Sequence, residues 1–413
     1  MSDLPSRLGV VGAGTMGAGI AQLGALAGIE TVLHDPLAEA LAKGEAAIHA
    51  GLGKGAERGR WSPDDATAAA GRLSTAESLD GLAGCEMVIE AAPERLDLKR
   101  ELFEALSEVC GPGTVLATNT SSIPVTQIAG AAANPENVVG MHFFNPAPLM
   151  KLVEVIAALQ TGERALAMAR ATGEAMGKRV IDASDGPGFL VNRCGRPFYS
   201  EALRLLQERI ATHDQIDRIC RMGGGFRMGP FELMDMVGID VGYAVARSFM
   251  ELSFGEPRWK PNPLQARMAA AGRLGRKSGR GWYEYSGEGP YRPDDPELPL
   301  RELAEGPGAD KEEAELKAAG FHVERIGAAP AGVLERIVCC LVNEAAFAIG
   351  EGVGSAQDVD AGLELGLNHP RGPVTWGREL GFDHVLATID GLWEHYREER
   401  YRAAPLLRRS ALS

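Results

Sequence analysis

The chain has 413 residues, 45% of them apolar and 24% charged, which at roughly 150 residues per domain implies two to three globular domains. That composition excludes a disordered acidic tail, a collagen-like repeat and a small disulfide-dependent scaffold. A formal net charge of −14 repels polyanions, so nucleic acid is not expected as a partner. Six cysteines, at 85, 110, 194, 220, 339 and 340, form no CxxC pattern, which fits reduced thiols in a cytoplasm. Leu8 to Ile29 is 22 residues without a charge, but it carries seven glycines and runs into Glu30 and a second strand-like segment. It reads as buried core and not as a membrane span.

In chain order, Arg7 to Gly12 is a short apolar strand, Gly12-Ala-Gly-Thr-Met-Gly17 a tight turn, Ala18 to Ala27 a helix, and Glu30 to Asp35 a strand ending in an acid. This is strand, GxGxxG, helix, strand, acid. Gly12 permits the turn, Gly14 lets a pyrophosphate approach the backbone, and Gly17 lets helix and strand pack closely. The amides around Thr15 and Met16 open a helix whose positive end suits a diphosphate. A carboxylate at Asp35 would bind the adenosine ribose and repel a 2′-phosphate, favouring NAD over NADP. The segment Leu41 to Arg60 offers Lys43, Lys54, Arg58 and Arg60, but its Ala50-Gly-Leu-Gly-Lys-Gly stretch is poor helix material.

Strands follow at Cys85 to Ala92, Gly113 to Asn119 and Val138 to Phe144, with an amphipathic helix over Asp97 to Val109. Glu94, Lys99, Asn119, Ser121, His142 and Asn145 fall at or just past strand ends, where open α/β sheets bind their ligands. His142 closes one strand, Asn145-Pro-Ala-Pro148 reverses the chain, and Leu152-Val-Glu-Val-Ile156 is apolar except for Glu154. A carboxylate in an apolar strand is costly unless paired, and His142 is its available partner. Such a pair fixes the imidazole tautomer and stabilises its protonated form, as a general base requires. No HExxH or similar spacing is present, so no metal is expected.

Beyond Asp185 the pattern turns helical: Phe189 to Glu208, Gln215 to Met222 and Phe231 to Phe254. Ser286 to Gly308 is rich in Pro, Gly and acid, and residues 288–325 are expected to be a linker. An internal repeat follows. Arg193 and Arg336, Glu201 and Glu344, Asp217 and Asp360, Gly229 and Gly372, and Asp240 and Asp383 all share one offset of 143 residues. That offset carries Asn192 onto Glu335.

Six ordered motifs, Gly12-Ala-Gly-Thr-Met-Gly17, Thr118-Asn-Thr-Ser-Ser122, His142-Phe-Phe-Asn-Pro146, Lys151-Leu-Val-Glu-Val155, Gly186-Pro-Gly-Phe-Leu-Val-Asn-Arg193 and Met228-Gly-Pro-Phe-Glu-Leu233, resemble the L-3-hydroxyacyl-CoA dehydrogenase (3-hydroxybutyryl-CoA dehydrogenase) family. The likeness runs from about residue 6 to Tyr283, roughly two-thirds of the chain. It implies a Rossmann-type doubly wound α/β domain over 1–185 and an all-α domain over 186–287. The latter is similar to the C-terminal domain of 6-phosphogluconate dehydrogenase, and 326–413 is expected to be its degenerate second copy. It implies an NAD-dependent enzyme of fatty-acid (β-oxidation) or related acyl-CoA metabolism, interconverting (S)-3-hydroxyacyl-CoA thioesters and 3-ketoacyl-CoA. His142 would be the base, Glu154 its partner, and Ser121 and Asn192 the substrate contacts. Asp35, Glu94, Lys99, Asn119, Ser121, Asn145 and Lys277 would line the cofactor site. A dehydrogenase of a free hydroxy or sugar acid, and a non-catalytic nicotinamide-binding structural protein, are the alternatives. In single-copy relatives the helical domain mediates dimerisation, so a monomer with an internal pseudo-dimer, or a homodimer, is expected.

Overall fold

The computed structural model describes residues 4–287 and 291–409, and the chain divides into two compact units between Phe189 and Leu190. The first holds an eight-stranded sheet: β1 (Arg7–Val11), β2 (Glu30–His34), β3 (Leu73–Ala76), β4 (Met87–Glu90), β5 (Val115–Thr118), β6 (Val138–Phe143), β7 (Leu152–Ala157) and β8 (Arg179–Ser184). Their order is β3-β2-β1-β4-β5-β6-β7-β8. β1 to β6 are mutually parallel, whereas β7 runs antiparallel to β6 and parallel to β8. The central strands are buried end to end and apolar except for Glu90, Thr118 and His142 toward their carboxyl ends, as a sheet covered on both faces demands. Strand order reverses between β1 and β4, the switch point at which such sheets bind ligands.

Six helices belong to this unit: α1 (Thr15–Leu26), α2 (Ala38–Glu57), α3 (Pro63–Gly71), α4 (Leu96–Val109), α5 (Val125–Ala129) and α6 (Glu163–Ala175). α2 runs unbroken through the glycine-rich stretch expected to resist helix formation. Packing overrides propensity there. A Cβ at Gly44 would meet the Ala13 carbonyl oxygen at 2.7 Å, and one at Gly55 the Trp61 ring at 1.8 Å. These glycines let α2 lie directly on its neighbours.

The second unit contains both helical copies, so the copy expected as a separate domain over 326–413 shares one compact body with the first. The first copy comprises α7 (Val191–Cys194), α8 (Arg196–Gln207), α9 (His213–Gly224), α10 (Pro230–Val237), α11 (Ile239–Leu252) and α12 (Pro263–Ala270). Two helices expected to be continuous are divided. Pro197 cannot donate the amide bond that would carry α7 into α8, and Gly238, at φ +107°, separates α10 from α11.

The expected linker is corrected by the fold. Residues 300–326 form β9 (Leu300–Ala304), α13 (Ala309–Ala318) and β10 (His322–Ile326), a parallel pair joined by a crossover helix around Leu303, Ala309 and Val323. The abundance of acid in this segment hid a small apolar core. Glu302 of β9 accepts from the amides of Val333 and Leu334, and so caps α14 (Val333–Gly350). α15 (Ala356–Gly366), α16 (Pro373–Leu380), α17 (Phe382–Tyr396) and α18 (Pro405–Arg408) complete the second copy. No helix among the described residues is long and apolar enough to cross a membrane.

Candidate active site

The glycine turn divides its labour as its spacing suggests. Gly12 sits at φ +99°, and a Cβ there would strike the Ala91 carbonyl oxygen at 2.7 Å. A Cβ on Gly17 would lie 1.7 Å from the Gly12 oxygen. A Cβ on Gly14 would meet nothing within 4 Å: the second glycine faces open space, as a position kept bare for a ligand should. α1 begins there with no side-chain cap and no acid in its first turn, leaving the Thr15 and Met16 region free to receive an anion. Asp35, at the end of β2, accepts from the Ala13 amide at 2.9 Å and the Leu37 amide at 3.0 Å. Its carboxylate stays partly exposed beside the turn. These residues fit a dinucleotide diphosphate with its ribose on Asp35.

At the ends of β4 and β5, Glu94 gathers the Thr120-Ser121-Ser122 turn. It accepts from the Thr120 hydroxyl at 2.7 Å, the Ser121 amide at 2.9 Å and the Ser122 amide at 3.1 Å. Burial alone would raise the pKa of Glu94, but Lys99 and these hydrogen bonds outweigh it and hold the carboxyl below its ordinary value. Lys99 is buried, not solvated, and donates to Glu90 at 2.6 Å, with Glu94 at 3.4 Å. It supports the acids beneath the turn. Glu90, wholly buried, also accepts from the Thr118 hydroxyl and the Ala92 amide, each at 2.6 Å. Sequence reasoning missed it, although an acid closing Met87-Val-Ile-Glu90 was the available signal. Asn119 accepts from the Phe143 amide at 2.8 Å, tying the end of β5 to β6.

His142 and Glu154 are direct partners in the β6–β7 register. Nδ1 of His142 lies 2.6 Å from Oε2 of Glu154, and both residues are buried, at 6% and 0% exposure. A carboxylate only accepts, so Nδ1 carries a proton, and in the neutral ring that leaves the lone pair on Nε2. Phe144 stacks obliquely on the imidazole at 4.6 Å between centroids. The loop after His142 leaves Asn145 exposed. It is anchored by the buried Lys178, whose Nζ donates to the carbonyls of Ala147 and Met150, both at 2.7 Å.

In the second unit, Asn192 lines a cavity of about 200 Å³ with Met234, Val237, Val241 and Arg196. Lys277 is half-exposed and pairs with Asp240 at 2.7 Å.

A sheet with a bare-glycine phosphate turn, an acid at the second strand and a buried His–Glu pair defines a nicotinamide-dependent oxidoreductase. The description "3-hydroxyacyl-CoA dehydrogenase, NAD binding domain" matches residues 7–186, and "3-hydroxyacyl-CoA dehydrogenase, C-terminal domain" matches residues 188–285 and 333–412. The second match skips the β9–α13–β10 segment. The chain is 38% identical to the 3-hydroxyadipyl-CoA dehydrogenase of Escherichia coli, across 98% of this chain and 97% of that protein. It is 40% identical to a probable 3-hydroxybutyryl-CoA dehydrogenase of Deinococcus radiodurans, across 68% of this chain and all of that one. A crystal structure titled 3-hydroxybutyryl-CoA dehydrogenase from E. coli superposes with a TM-score of 0.93 at 37% identity, covering 99% of this chain and 98% of that one. The chain belongs to the 3-hydroxyacyl-CoA dehydrogenase family, whose members are NAD-dependent oxidoreductases of hydroxyacyl-CoA.

Proposed function

We propose that the chain interconverts (S)-3-hydroxyacyl-CoA and 3-ketoacyl-CoA, with His142 as general base, Glu154 as its orienting partner, and Ser121 and Asn192 as substrate contacts. The observation that carries this reading is the 2.6 Å His142–Glu154 pair at the carboxyl end of β6, in the same unit as the Gly14 cradle. Bound NAD supplies the hydride acceptor. Nε2 of His142 takes the hydroxyl proton as hydride leaves the same carbon, and returns it in the reductive direction. Glu154 holds the ring in the tautomer that leaves Nε2 free and offsets the charge that the imidazole gains. Burial of both groups strengthens that compensation, because their field is little screened. Gly14, Thr15, Met16 and Asp35 hold the diphosphate and ribose, and Glu94 fixes Ser121 beside them; Lys277 and Asn145 complete the cofactor contacts.

His142→Ala should lower turnover of 3-hydroxybutyryl-CoA by roughly 10² to 10⁴-fold, the usual worth of a positioned base, while NAD affinity, read by quenching of protein fluorescence, changes little. Turnover within threefold of the parent chain would remove His142 from the role. Parallel assays with free 3-hydroxybutyrate distinguish a thioester enzyme from a free-acid one.

We further propose that the two helical copies stand in for the two subunits of a dimer, and that the enzyme works in the cytoplasm as a monomer with this internal pseudo-dimer or as a homodimer. The setting is supported by six cysteines that are all free thiols, and the pseudo-dimer by reciprocal ion pairs between the copies, Arg193 with Glu344 and Arg336 with Glu201.

A further inference from the structure

The cavity beside Asn192 is closed by a residue that the first helical copy does not supply. Asn192, Met234, Val237, Val241 and Val245 belong to the first copy, whereas Leu367 comes from the second, at the carboxyl end of α15. The helix stops there because Asn368 takes a left-handed conformation, at φ +55°, and the amides of Leu367 and His369 both bond the Leu363 carbonyl at 3.1 Å. That ending fixes where Leu367 stands. Its side chain lies directly on Gly195, where a Cβ would fall 2.3 Å from Cδ1 of the leucine. Leu367 also lines a neighbouring cavity of about 350 Å³ with Phe198, Phe226, Leu233, Met236 and the exposed Arg227. α10 runs between the two cavities: Met234 and Val237 face the one beside Asn192, and Leu233 and Met236 face the other. Among the described residues, Leu367 is the side chain common to both walls. The 143-residue offset carries Leu367 back onto Gly224, which lines the cavity of about 610 Å³ beside Glu335. A fold that accepts glycine at one of two matched positions does not demand leucine at the other.

We infer that Leu367 is the end wall of the acyl cavity, so that the second helical copy sets the length of tail that the site of the first copy accepts. This rests on the proposed role of Asn192 as a substrate contact. The tail passes Asn192, packs on Met234, Val237 and Val241, and stops against the leucine. At about 30 Å³ per water-sized group, about 200 Å³ holds roughly half a dozen heavy atoms. A longer tail would gain about fourfold in binding for each further methylene it buried, and the apolar wall of the neighbouring cavity offers that burial. Leu367 withholds it. The second copy, which has no dinucleotide unit of its own, thereby completes the substrate cavity of the first.

The test compares kcat/KM for 3-hydroxydecanoyl-CoA with that for 3-hydroxybutyryl-CoA and reads the ratio. Leu367→Ala opens the wall and should raise the ratio by at least about tenfold, the worth of two newly buried methylenes, chiefly through KM for the longer thioester. Leu367→Phe thickens the same wall and should lower the ratio of the six-carbon to the four-carbon thioester by about threefold or more. Loss of folded enzyme lowers all substrates alike, so these ratios report the wall and not stability. Leu363→Ala, in the core of the same helix and outside both cavities, should leave them unmoved. Ratios within twofold of the parent's in both Leu367 variants, or an equal rise with Leu363→Ala, overturn the inference. Should Leu367→Ala fail to fold, Leu367→Val and Leu367→Phe decide by the same ratios. A parent chain that turns over no thioester overturns the proposed function as well, whereas an active parent with unmoved ratios overturns the role of Leu367 alone.

Discussion

The two helical copies are alike where they fold and unlike where they face a cavity. Arg193 of the first reaches Glu344 at 2.9 Å and Glu351 at 2.7 Å in the second; Arg336 of the second reaches Glu201 at 3.0 Å and Glu208 at 2.8 Å in the first. Every partner is related by the same 143-residue offset, so the contact is isologous, as in a two-fold dimer. Asp217 caps α10 through the amides of Phe231 and Glu232, and Asp360 caps α16 through Val374 and Thr375, its counterparts. Gly229 and Gly372 lie so close to these aspartates that a Cβ would fall 2.3 and 2.2 Å from the carboxyl groups.

The differences sit elsewhere. Cys340 stands where the first copy has Pro197, and α14 is accordingly one unbroken helix of 18 residues. Asn192 becomes Glu335, and Val241 becomes His384, which lies 2.7 Å from Glu335. The matching cavity in the second copy thus carries an acid and a histidine, Glu335 and His384, on its wall. Caps and interface pairs, which folding requires, are the same in both copies, whereas the positions on the cavity wall differ.

Deleting one copy breaks the comparison most severely. A chain ending near Gly287 loses the acids that pair with Arg193, leaving a buried guanidinium unpaired. It should either dimerise through the face that the second copy covered or fail to fold, as read by sedimentation. A truncated chain that is monomeric, folded and fully active would refute the pseudo-dimer. Next in size, Arg336→Met strands Glu201 and Glu208 and should cost about 3–5 kcal/mol, the range for removing one partner of a buried pair. Arg193→Met should cost a similar amount in urea unfolding if the two sides are equivalent. A loss under about 1 kcal/mol on either side would show that the reciprocity is geometric only.

Function should separate the copies where stability does not. Asn192→Ala should lower kcat/KM by about 10 to 100-fold, the worth of one good substrate hydrogen bond. Glu335→Ala, at the matching position, should leave it within twofold. Equal losses would mean that the second cavity still serves the reaction.

What could be read from sequence follows the same division. The dinucleotide turn was legible because its chemistry is local: Gly12, Gly14, Gly17 and Asp35 lie within 24 residues. The His142–Glu154 pair was legible because a hairpin register carries it and an acid in an apolar strand demands a partner. β3 and β8 were not, since both are largely exposed and polar, and strand signals rest on burial patterns. The fold of residues 300–326 was hidden by acidic composition, although Leu300, Leu303, Val323 and Ile326 carried its core. Asn192 and Lys277 entered only by family likeness, and Ser121 had no signal besides its place just past a strand end.

The smallest expected effect lies where the copies touch their own counterparts. Phe226 and His369 are related by the offset, and their rings meet at 5.1 Å with Phe198 beside both. His369 is 6% exposed and its Nδ1 is buried without a partner. Burial pushes its pKa down to about 3, against an ordinary value near 6.5. Between those values the unfolded chain binds a proton that the folded chain refuses, so this group makes stability fall as pH drops from about 6.5 toward 3. His369→Phe restores the symmetric aromatic pair, removes one unpaired buried nitrogen and abolishes that proton linkage. At pH 7 the variant should be more stable by about 1 kcal/mol, the low end for an unsatisfied buried polar group. Its urea midpoint should also decline less steeply than the parent's between pH 6.5 and 4. Parallel pH profiles would mean that His369 is protonated in place, and that the site where the copies meet tolerates a charge that its aromatic walls give no reason to accept.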